Sequence, residues 1–231
     1  MELVVAILVV ALLAMMIVPA TQRARQKSLR IHCLNNFMQI GTSDRLWAGG
    51  HGDRTPFQTS ITNGGLSEIL PRSNAGPYCW KYYAAMASEL GQSPSLLLCP
   101  ADERHAASNF TTDFKDNTHL SYFVGVNASD IYPQSIAGGD RNLGPGTVPD
   151  PNYGYSPANG NGNDVIISGP VCWSLKMHSG GNAAGAGNIL CGDGSAQAVS
   201  SASFGQNWLR NAPTGTNVSG TNQAGTRLVF P

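Results

Sequence analysis

Charged side chains are scarce in this sequence, and neither sign of charge prevails. Only 12% of the 231 residues are Asp, Glu, Lys or Arg, about half the usual share, and 14 basic residues balance 14 acidic ones. The chain therefore lacks the strong positive field that attracts nucleic acid, and no nucleic-acid partner is expected. Glycine, proline and neutral polar residues take the place of the charges, which suits a surface that packs against copies of itself or faces the cell exterior.

Paired cysteine spacings are also missing. The sequence contains no CxxC, no CxxCH and no His/Cys pair at the spacing of a zinc site, although it has five cysteines: Cys33, Cys79, Cys99, Cys172 and Cys191. The spacing argues against structural zinc and covalent haem, and no such cofactor is expected. Outside the cytosol an odd count allows two disulfides and one thiol, and buried reduced cysteines are the alternative.

The sequence also lacks the usual signs of an enzyme. It contains no recognisable nucleophile turn, metal box or phosphate loop, so the chain is not expected to be an enzyme. His178 and Asp193 could orient a base or share a metal. The simpler interpretation is that both are turn and loop residues that form local hydrogen bonds.

What the sequence does contain is a long apolar run at its start. Residues 3–18 include no polar side chain, and the following residues 20–50 carry five basic side chains against one acidic. A cleaved signal peptide, a plain membrane anchor and a polymerisation helix are the three interpretations. No basic residue precedes the run, which disfavours a signal peptide. A plain anchor leaves Glu2, a carboxylate at the edge of the hydrocarbon, without a partner.

The stretch ELVVAILVVALLAMMIVPATQRARQKSLRIHCLNNFMQIG resembles the N-terminal helix of the type IV pilin and type II secretion pseudopilin superfamily. That family carries a Glu near the mature N-terminus and a Pro seventeen residues later, as Glu2 and Pro19 stand here. The resemblance implies a leader cut by a prepilin peptidase, often with methylation of the new N-terminus. It also implies that the leader and the first few mature residues lie outside this sequence, and that Glu2 neutralises the terminal amine of a neighbouring subunit.

Several downstream segments are similar to the prepilin-type proteins of Verrucomicrobia and Planctomycetes. They are LCPADERHAASNF, LSYFVGVNASD, GGDRNL, KMHSGGNAAGAGNILCGDGSAQAVSS and TRLVFP. Those proteins carry a His, a spacer and an Asp-Gly pair. Here His178 and Asp193 have a spacer of fourteen residues, longer than is typical, which predicts a lengthened loop.

The resemblance also implies structural roles for particular side chains. Cys33 and Cys99 stand where the resembling proteins place cysteines, which implies a disulfide between helix and sheet. Cys79, Cys172 and Cys191 would then supply one further bridge and one thiol, in a pairing that the sequence leaves open. Related pseudopilins often hold a structural Ca²⁺, for which Asp164 and Asp193 are the candidate ligands, with Asn161 and Asn163 nearby.

The predicted fold class is α+β and pilin-like. A long N-terminal helix, apolar in its first half, forms residues 1–50, and a globular domain with a mostly antiparallel sheet forms residues 51–231. The helix is expected to reach about Trp47 and to pack through Ile31, Leu34, Phe37 or Met38, and Gly41. Pro19 permits a kink or local melting within it.

Further elements follow from the local patterns of the globular domain. Helices are predicted at residues 80–90 and 65–70, and the Asp193–Gly194 pair predicts a hairpin turn. Long surface loops rich in glycine, proline and asparagine are predicted at 138–163 and 213–225. Short strands are predicted at residues 95–99, 120–127, 164–168, 188–191, 195–200 and 226–230.

These expectations together describe a structural protein. The chain is expected to polymerise through its apolar helix into an extracellular, pilus-like homopolymer, after residing in the inner membrane. Its expected partners are other copies of itself, a prepilin peptidase and the pilus or secretion assembly machinery. The alternatives are a minor pseudopilin of a type II secretion-like system and a membrane-anchored surface binding module.

Overall fold

The computed structural model of the chain describes residues 2–71, 74–179, 184–208 and 226–231, and its fold is α+β. Helix α1 (Glu2–Gly50) is 49 residues long and precedes a globular part built on an antiparallel sheet. Two short helices follow, α2 (Cys79–Ala85) and α3 (Ser201–Ser203), and α3 continues into a π-helical turn at Phe204–Trp208. Single 3-10 turns lie at Pro56–Gln58, Ile61–Asn63, Ser67–Ile69, Gly76–Tyr78, Pro94–Leu97 and Asn117–His119.

The strands within the described residues form two sheets. Six of them make one sheet in the order β4-β8-β1-β2-β6-β7, in which every neighbouring pair is antiparallel, and β3 pairs with β5 separately. The strands are β1 (Tyr122–Gly125), β2 (Ile136–Asp140), β3 (Leu143–Pro145), β4 (Asn163–Ile167), β5 (Val171–Trp173), β6 (Ala186–Cys191), β7 (Ala196–Ser200) and β8 (Thr226–Phe230).

The central strands of the larger sheet are buried on both faces, whereas the edge strands β4 and β7 are partly exposed. Side chains alternate along a strand, so Tyr122 and Val124 lie in the core that includes α1 and α2. Phe123 between them lies in a second core with Trp173 of β5 and Phe204 of the π-helical turn. The six-stranded sheet is therefore the middle layer of the molecule.

Within the described residues, helix α1 packs on the globular part through its C-terminal half. Arg30 makes hydrogen bonds to the Gly187 carbonyl (2.9 Å) and the Asn188 side chain (3.1 Å) on β6. One turn later the buried stripe begins at Cys33 and continues at intervals of three or four residues through Phe37, Ile40, Ser43 and Trp47. The expected packing of Phe37 and Gly41 is confirmed.

Two other residues of the expected helix face are solvent exposed. Ile31 is 52% exposed and Met38 is 47% exposed, so the prediction is wrong for Ile31, and Phe37 rather than Met38 faces the core. Ile31 lies two positions before Cys33, a rotation of about 200° around the helix, and so points away from the sheet.

Several predicted elements are confirmed near their expected bounds. The observed bounds overlap the predicted ones for helix α1 and for strands β1, β4, β6, β7 and β8. For β8 the observed and predicted bounds are the same, residues 226–230. The hairpin between β6 and β7 pairs Leu190 with Ala196 across the Asp193–Gly194 turn. Gly194 has φ +76°, a backbone conformation that glycine adopts without a steric penalty.

Other local predictions are wrong. Residues 95–99 do not form a strand, because Pro94 begins a 3-10 turn at Pro94–Leu97. The helix expected over 80–90 ends at Ala85, and the one expected over 65–70 is reduced to a 3-10 turn at Ser67–Ile69.

The surface loop predicted at 138–163 is wrong in its first part. Residues 138–144 are buried, and they contain the end of β2 and the start of β3. The glycines of β2 give this segment the composition of a loop. Glycine is nevertheless required at position 139, because a Cβ on Gly139 would lie 2.3 Å from the ring of Phe123. The loop predicted at 213–225 lies outside the described residues.

Helix α1 continues without interruption through Pro19, so the local melting that the proline permits is not seen. Among the helices in the described part of the chain, none combines the length and the apolar character needed to cross a membrane.

Candidate functional site

The N-terminal half of α1, residues 2–20, carries apolar side chains that no other described part of the chain covers. Those that the structure describes are 58–73% exposed. They are Leu3, Val4, Val5, Ile7, Leu8, Met15 and Ile17. Successive helical residues are rotated by about 100°, so these seven side chains spread over about two thirds of the helix circumference. The sequence has no polar residue between positions 3 and 18 on the remaining third either. A helix that is apolar all round is normally surrounded by other apolar groups.

Charged side chains mark both ends of this apolar half. Glu2 is exposed at the first turn of α1. Arg23, Arg25 and Lys27 are exposed on the turns that follow residue 20. The outer face continues beyond them with exposed Ile31 and Met38, so the uncovered apolar surface extends along the packed half of the helix as well.

A second group of functional side chains lies where α1 first meets the sheet. Cys33, Cys99, Asp140 and His178 bring their ligand-type atoms within 4.8 Å of one another, and all four residues are buried. They come from four separate places in the chain. Cys33 lies on α1, Cys99 follows the 3-10 turn at Pro94–Leu97, Asp140 ends β2, and His178 follows β5. We refer to these four residues as the Cys–Asp–His cluster.

Close contacts hold the cluster together. The Cys33 thiol donates to Asp140 Oδ1 at 3.2 Å, and Cys99 Sγ lies 3.3 Å from His178 Nε2. His178 Nε2 is also 3.4 Å from Asp140 Oδ2. The four side chains therefore form one compact group and not two independent pairs.

Burial sets the protonation of the cluster. It raises the pKa of the Cys33 thiol well above its ordinary value, and the contact with Cys99 adds to this shift. Burial raises the pKa of Asp140 to about 7, although the Cys33 thiol and the Asn188 backbone amide donate hydrogen bonds to the carboxylate. Burial, followed by the charge of Arg30, lowers the pKa of His178 to about 4, so this imidazole is neutral at pH 7.

A surrounding layer of donors orients the cluster. The Asn188 amide donates to Asp140 Oδ2 at 2.6 Å, and the Ala101 amide donates to Cys99 Sγ at 3.4 Å. The Tyr122 hydroxyl lies 3.4 Å from Cys33 Sγ. Each of these groups is fixed by the backbone or by the core, so the four side chains are held in place by rigid elements.

A buried ion pair fixes the loop segments beside the cluster. Asp102, three residues after Cys99, accepts two hydrogen bonds from Arg141, at 2.7 Å and 2.8 Å. The Arg141 guanidinium also stacks 3.3 Å from the centroid of the Tyr153 ring. Because Arg141 follows Asp140 directly, this pair helps to fix the end of β2.

The structure places the predicted disulfide partners together but does not join them. Cys33 and Cys99 are neighbours in the cluster, as a bond between helix and sheet requires. All five cysteines are nevertheless free and buried, so neither predicted bridge is formed. Cys79, Cys172 and Cys191 are in the core away from the cluster, which leaves the alternative of buried reduced cysteines in place for them.

The two predicted calcium ligands do not come together. Asp164 lies on β4 and Asp193 follows β6, four strand positions away, which corresponds to about 19 Å across the sheet. Asp164 is paired with Arg227, whose Nε donates to Oδ1 at 2.9 Å. Asn163 uses its amide to donate to the Tyr155 carbonyl. These contacts give no support to a shared Ca²⁺ site.

The expectation of local hydrogen bonds is confirmed for Asp193 and wrong for His178. Asp193 accepts from the backbone and hydroxyl of Ser195, at 2.9 Å and 2.6 Å, within the hairpin turn. His178 instead contacts Cys99 and Asp140, which are far away in sequence. Spacing along the chain could not reveal this, because successive cluster residues lie 38 to 66 positions apart.

Comparison of the chain with protein-family models, with curated proteins and with solved structures finds no match.

Proposed function

We propose that the chain is a structural, pilin-like subunit that polymerises through the N-terminal half of α1 into an extracellular filament. The observation that carries this proposal is the exposed apolar surface of that half, whose described side chains spread over about two thirds of the helix circumference. Burying a large apolar side chain contributes about 1.5–3 kcal/mol, so even the seven described side chains represent a substantial driving force for association.

The all-round distribution of the apolar side chains favours a helical bundle. A single docking groove would cover one face of the helix and leave the opposite side in water. A bundle of identical helices, or lipid before assembly, surrounds every side. The exposed Ile31 and Met38 on the packed half extend the contact surface along the same helix.

Glu2 gives the bundle a defined register. A carboxylate at the end of an apolar helix is costly in a low-dielectric interior unless a cation pairs with it. Staggered subunits would place the Glu2 of one chain beside the terminal amine of another. The exposed Arg23, Arg25 and Lys27 would then mark the boundary between the apolar core of the bundle and its polar surroundings.

This proposal includes a life cycle. The subunit first resides in the inner membrane. A prepilin peptidase processes it, and assembly machinery adds it to a filament at the cell surface. A minor pseudopilin of a secretion system is the second candidate function, because the same exposed helix serves a short pseudopilus equally well.

Replacement of Glu2 by Gln tests the proposal. Electron microscopy of material sheared from cells should show fibres containing the wild-type chain, and the Glu2→Gln variant should yield none while its cellular level is unchanged. Glu103→Gln is the matched control, because Glu103 is exposed on the globular part, where it pairs with Lys176. Normal fibres from Glu2→Gln, or none from the wild type, would contradict the proposal. In the second case an unchanged function of Glu2→Gln would favour an anchored binding module.

A further inference from the structure

We propose that Cys33, Cys99, Asp140 and His178 form a tetrahedral Zn²⁺ site that ties helix α1 to the sheet. The spacing of these four residues along the sequence does not predict the site, because each ligand comes from a different segment. The inference depends on contacts between the C-terminal half of α1 and the globular part, and is independent of the proposed filament.

The distances within the cluster match a zinc tetrahedron. With Zn–S bonds of about 2.3 Å and Zn–N or Zn–O bonds of about 2.1 Å, the ligand atoms of a tetrahedral site lie about 3.4–3.8 Å apart. The observed separations are 3.2 Å for Cys33 Sγ to Asp140 Oδ1, 3.3 Å for Cys99 Sγ to His178 Nε2, and 3.4 Å for His178 Nε2 to Asp140 Oδ2. Asp140 thus contacts Cys33 through one oxygen and His178 through the other, and one of the two would bind the metal. Every pair of ligand atoms lies within 4.8 Å, so shifts of up to about 1 Å complete the tetrahedron.

The donor set selects the metal. Two sulfurs, one imidazole nitrogen and one carboxylate oxygen are ligands that Zn²⁺ accepts, whereas Ca²⁺ and Mg²⁺ require oxygen ligands. His178 presents Nε2 as a neutral imidazole, the form that coordinates a metal. On binding, each thiol releases its proton to solvent and coordinates as a thiolate.

The charges of the site also favour a cation. Asp140 is fully buried, and the side-chain hydrogen bonds of nearby Arg30 go to Asn188 and to backbone carbonyls. Two thiolates, one carboxylate and Zn²⁺ leave one negative charge in excess. Arg30 interacts electrostatically with both Asp140 and Cys33 and so offsets that excess.

A Cys33–Cys99 disulfide uses only half of this arrangement. Oxidation would remove the thiol proton that Cys33 donates to Asp140 and leave the carboxylate and His178 buried without a sulfur donor. A metal instead employs all four side chains and the amides that already support them. Because the protein supplies four ligands, no coordination position is left open for a substrate, and the site is structural and not catalytic.

Metal analysis of the full chain, purified in detergent with a reductant and without chelators, tests the inference. We expect about one zinc per chain by mass spectrometry, or saturable uptake of one equivalent when ZnCl₂ is added. Replacement by Co²⁺ should give the visible absorption of a tetrahedral ion and a sulfur-to-cobalt charge-transfer band. A reduced chain that takes up neither metal, or a native chain in which Cys33 and Cys99 are disulfide-bonded and metal is absent, would overturn the proposal.

Ligand variants locate the site. Cys99→Ser and His178→Ala should each weaken zinc binding by at least about 100-fold, since even the loss of a residue that only supports a ligand costs 10- to 100-fold. Cys172→Ser is the matched control, because Cys172 is a buried thiol outside the cluster that contacts Ser201 Oγ at 3.2 Å. Equal zinc binding by the ligand variants and the control would refute the assignment. If a variant fails to fold, the cobalt spectrum of the wild type still decides.

The outcomes separate this site from the filament. Wild-type chains that bind zinc but form no fibres would leave the metal site standing and remove the proposed function. Fibres built from metal-free, disulfide-bonded chains would do the reverse.

Discussion

The two halves of helix α1 follow opposite rules. The N-terminal half is almost purely apolar and is exposed, whereas the C-terminal half is mixed in composition and buries a narrow stripe that includes Cys33, Phe37 and Ile40. Hydrophobicity therefore does not decide which half packs onto the sheet. The mixed half packs because its apolar residues recur at helical spacing and its polar ones, such as Arg30 and Asn36, meet backbone carbonyls. The apolar half has no such pattern, and its described side chains stay exposed.

The largest effect on stability should come from the packed half. Phe37→Ala removes a fully buried ring whose centroid lies 4.4 Å from that of Tyr122, and should lower the free energy of unfolding by about 3–5 kcal/mol. Urea unfolding of the full chain in detergent, followed by tryptophan fluorescence, measures it. Met38→Ala, one residue along on the exposed face, should change it by no more than about 0.5 kcal/mol. Similar losses for both variants would show that the helix faces are assigned wrongly.

A smaller, pH-dependent effect should come from Asp44 near the end of the packed half. Burial raises the pKa of Asp44 to about 7, opposed by the hydrogen bond from Tyr82 and reinforced by the charge of Asp130. The folded chain therefore holds a proton that the unfolded chain loses near pH 4, so this group lowers stability as pH rises from about 4 to 7.

Asp44→Asn should remove that dependence, since the amide oxygen still accepts from Tyr82. The variant should match the wild type near pH 4 and exceed it above pH 7 by on the order of 1 kcal/mol. Urea midpoints measured at both pH values provide the check. A variant less stable than the wild type at pH 8 would mean that the carboxylate is ionised in the fold without penalty.

The smallest effect on stability should come from the N-terminal half. Leu8 is 58% exposed, so Leu8→Asp should leave the free energy of unfolding, measured with urea, within about 0.5 kcal/mol of the wild-type value. The same change introduces a charge into the proposed bundle core and should abolish fibres in sheared material. A large loss of stability in detergent would show that this half also packs onto the globular part.

The sequence predicted the elements with a clear periodicity. The apolar run, the β6–β7 hairpin with its Asp193–Gly194 turn, and the strand at 226–230 all have strong local signals. Strand β2 was missed because Gly138 and Gly139 read as loop residues. Their place in the sheet depends on the ring of Phe123, a contact between residues that no local pattern connects.

The cluster was beyond sequence reasoning for a similar reason. Cys33 and Cys99 were paired through a resemblance, and the structure brings them together, but their shared neighbours Asp140 and His178 have no characteristic spacing. Asp140 stands in the segment GGDRNL, whose similarity to the prepilin-type proteins implies no role for this residue. Only the meeting of β2, β5 and α1 in three dimensions shows what these side chains share.

The continuity of α1 has a mechanical consequence. Tension applied to one end of an unbroken helix travels along its backbone to the first place where the helix is fastened. In this chain that place is the turn from Arg30 to Cys33, which is held by hydrogen bonds to β6 and by the cluster. In the proposed filament, a load would therefore act in shear on these few contacts before it reached the sheet. A metal bond at Cys33 would then set the force at which α1 separates from the globular part.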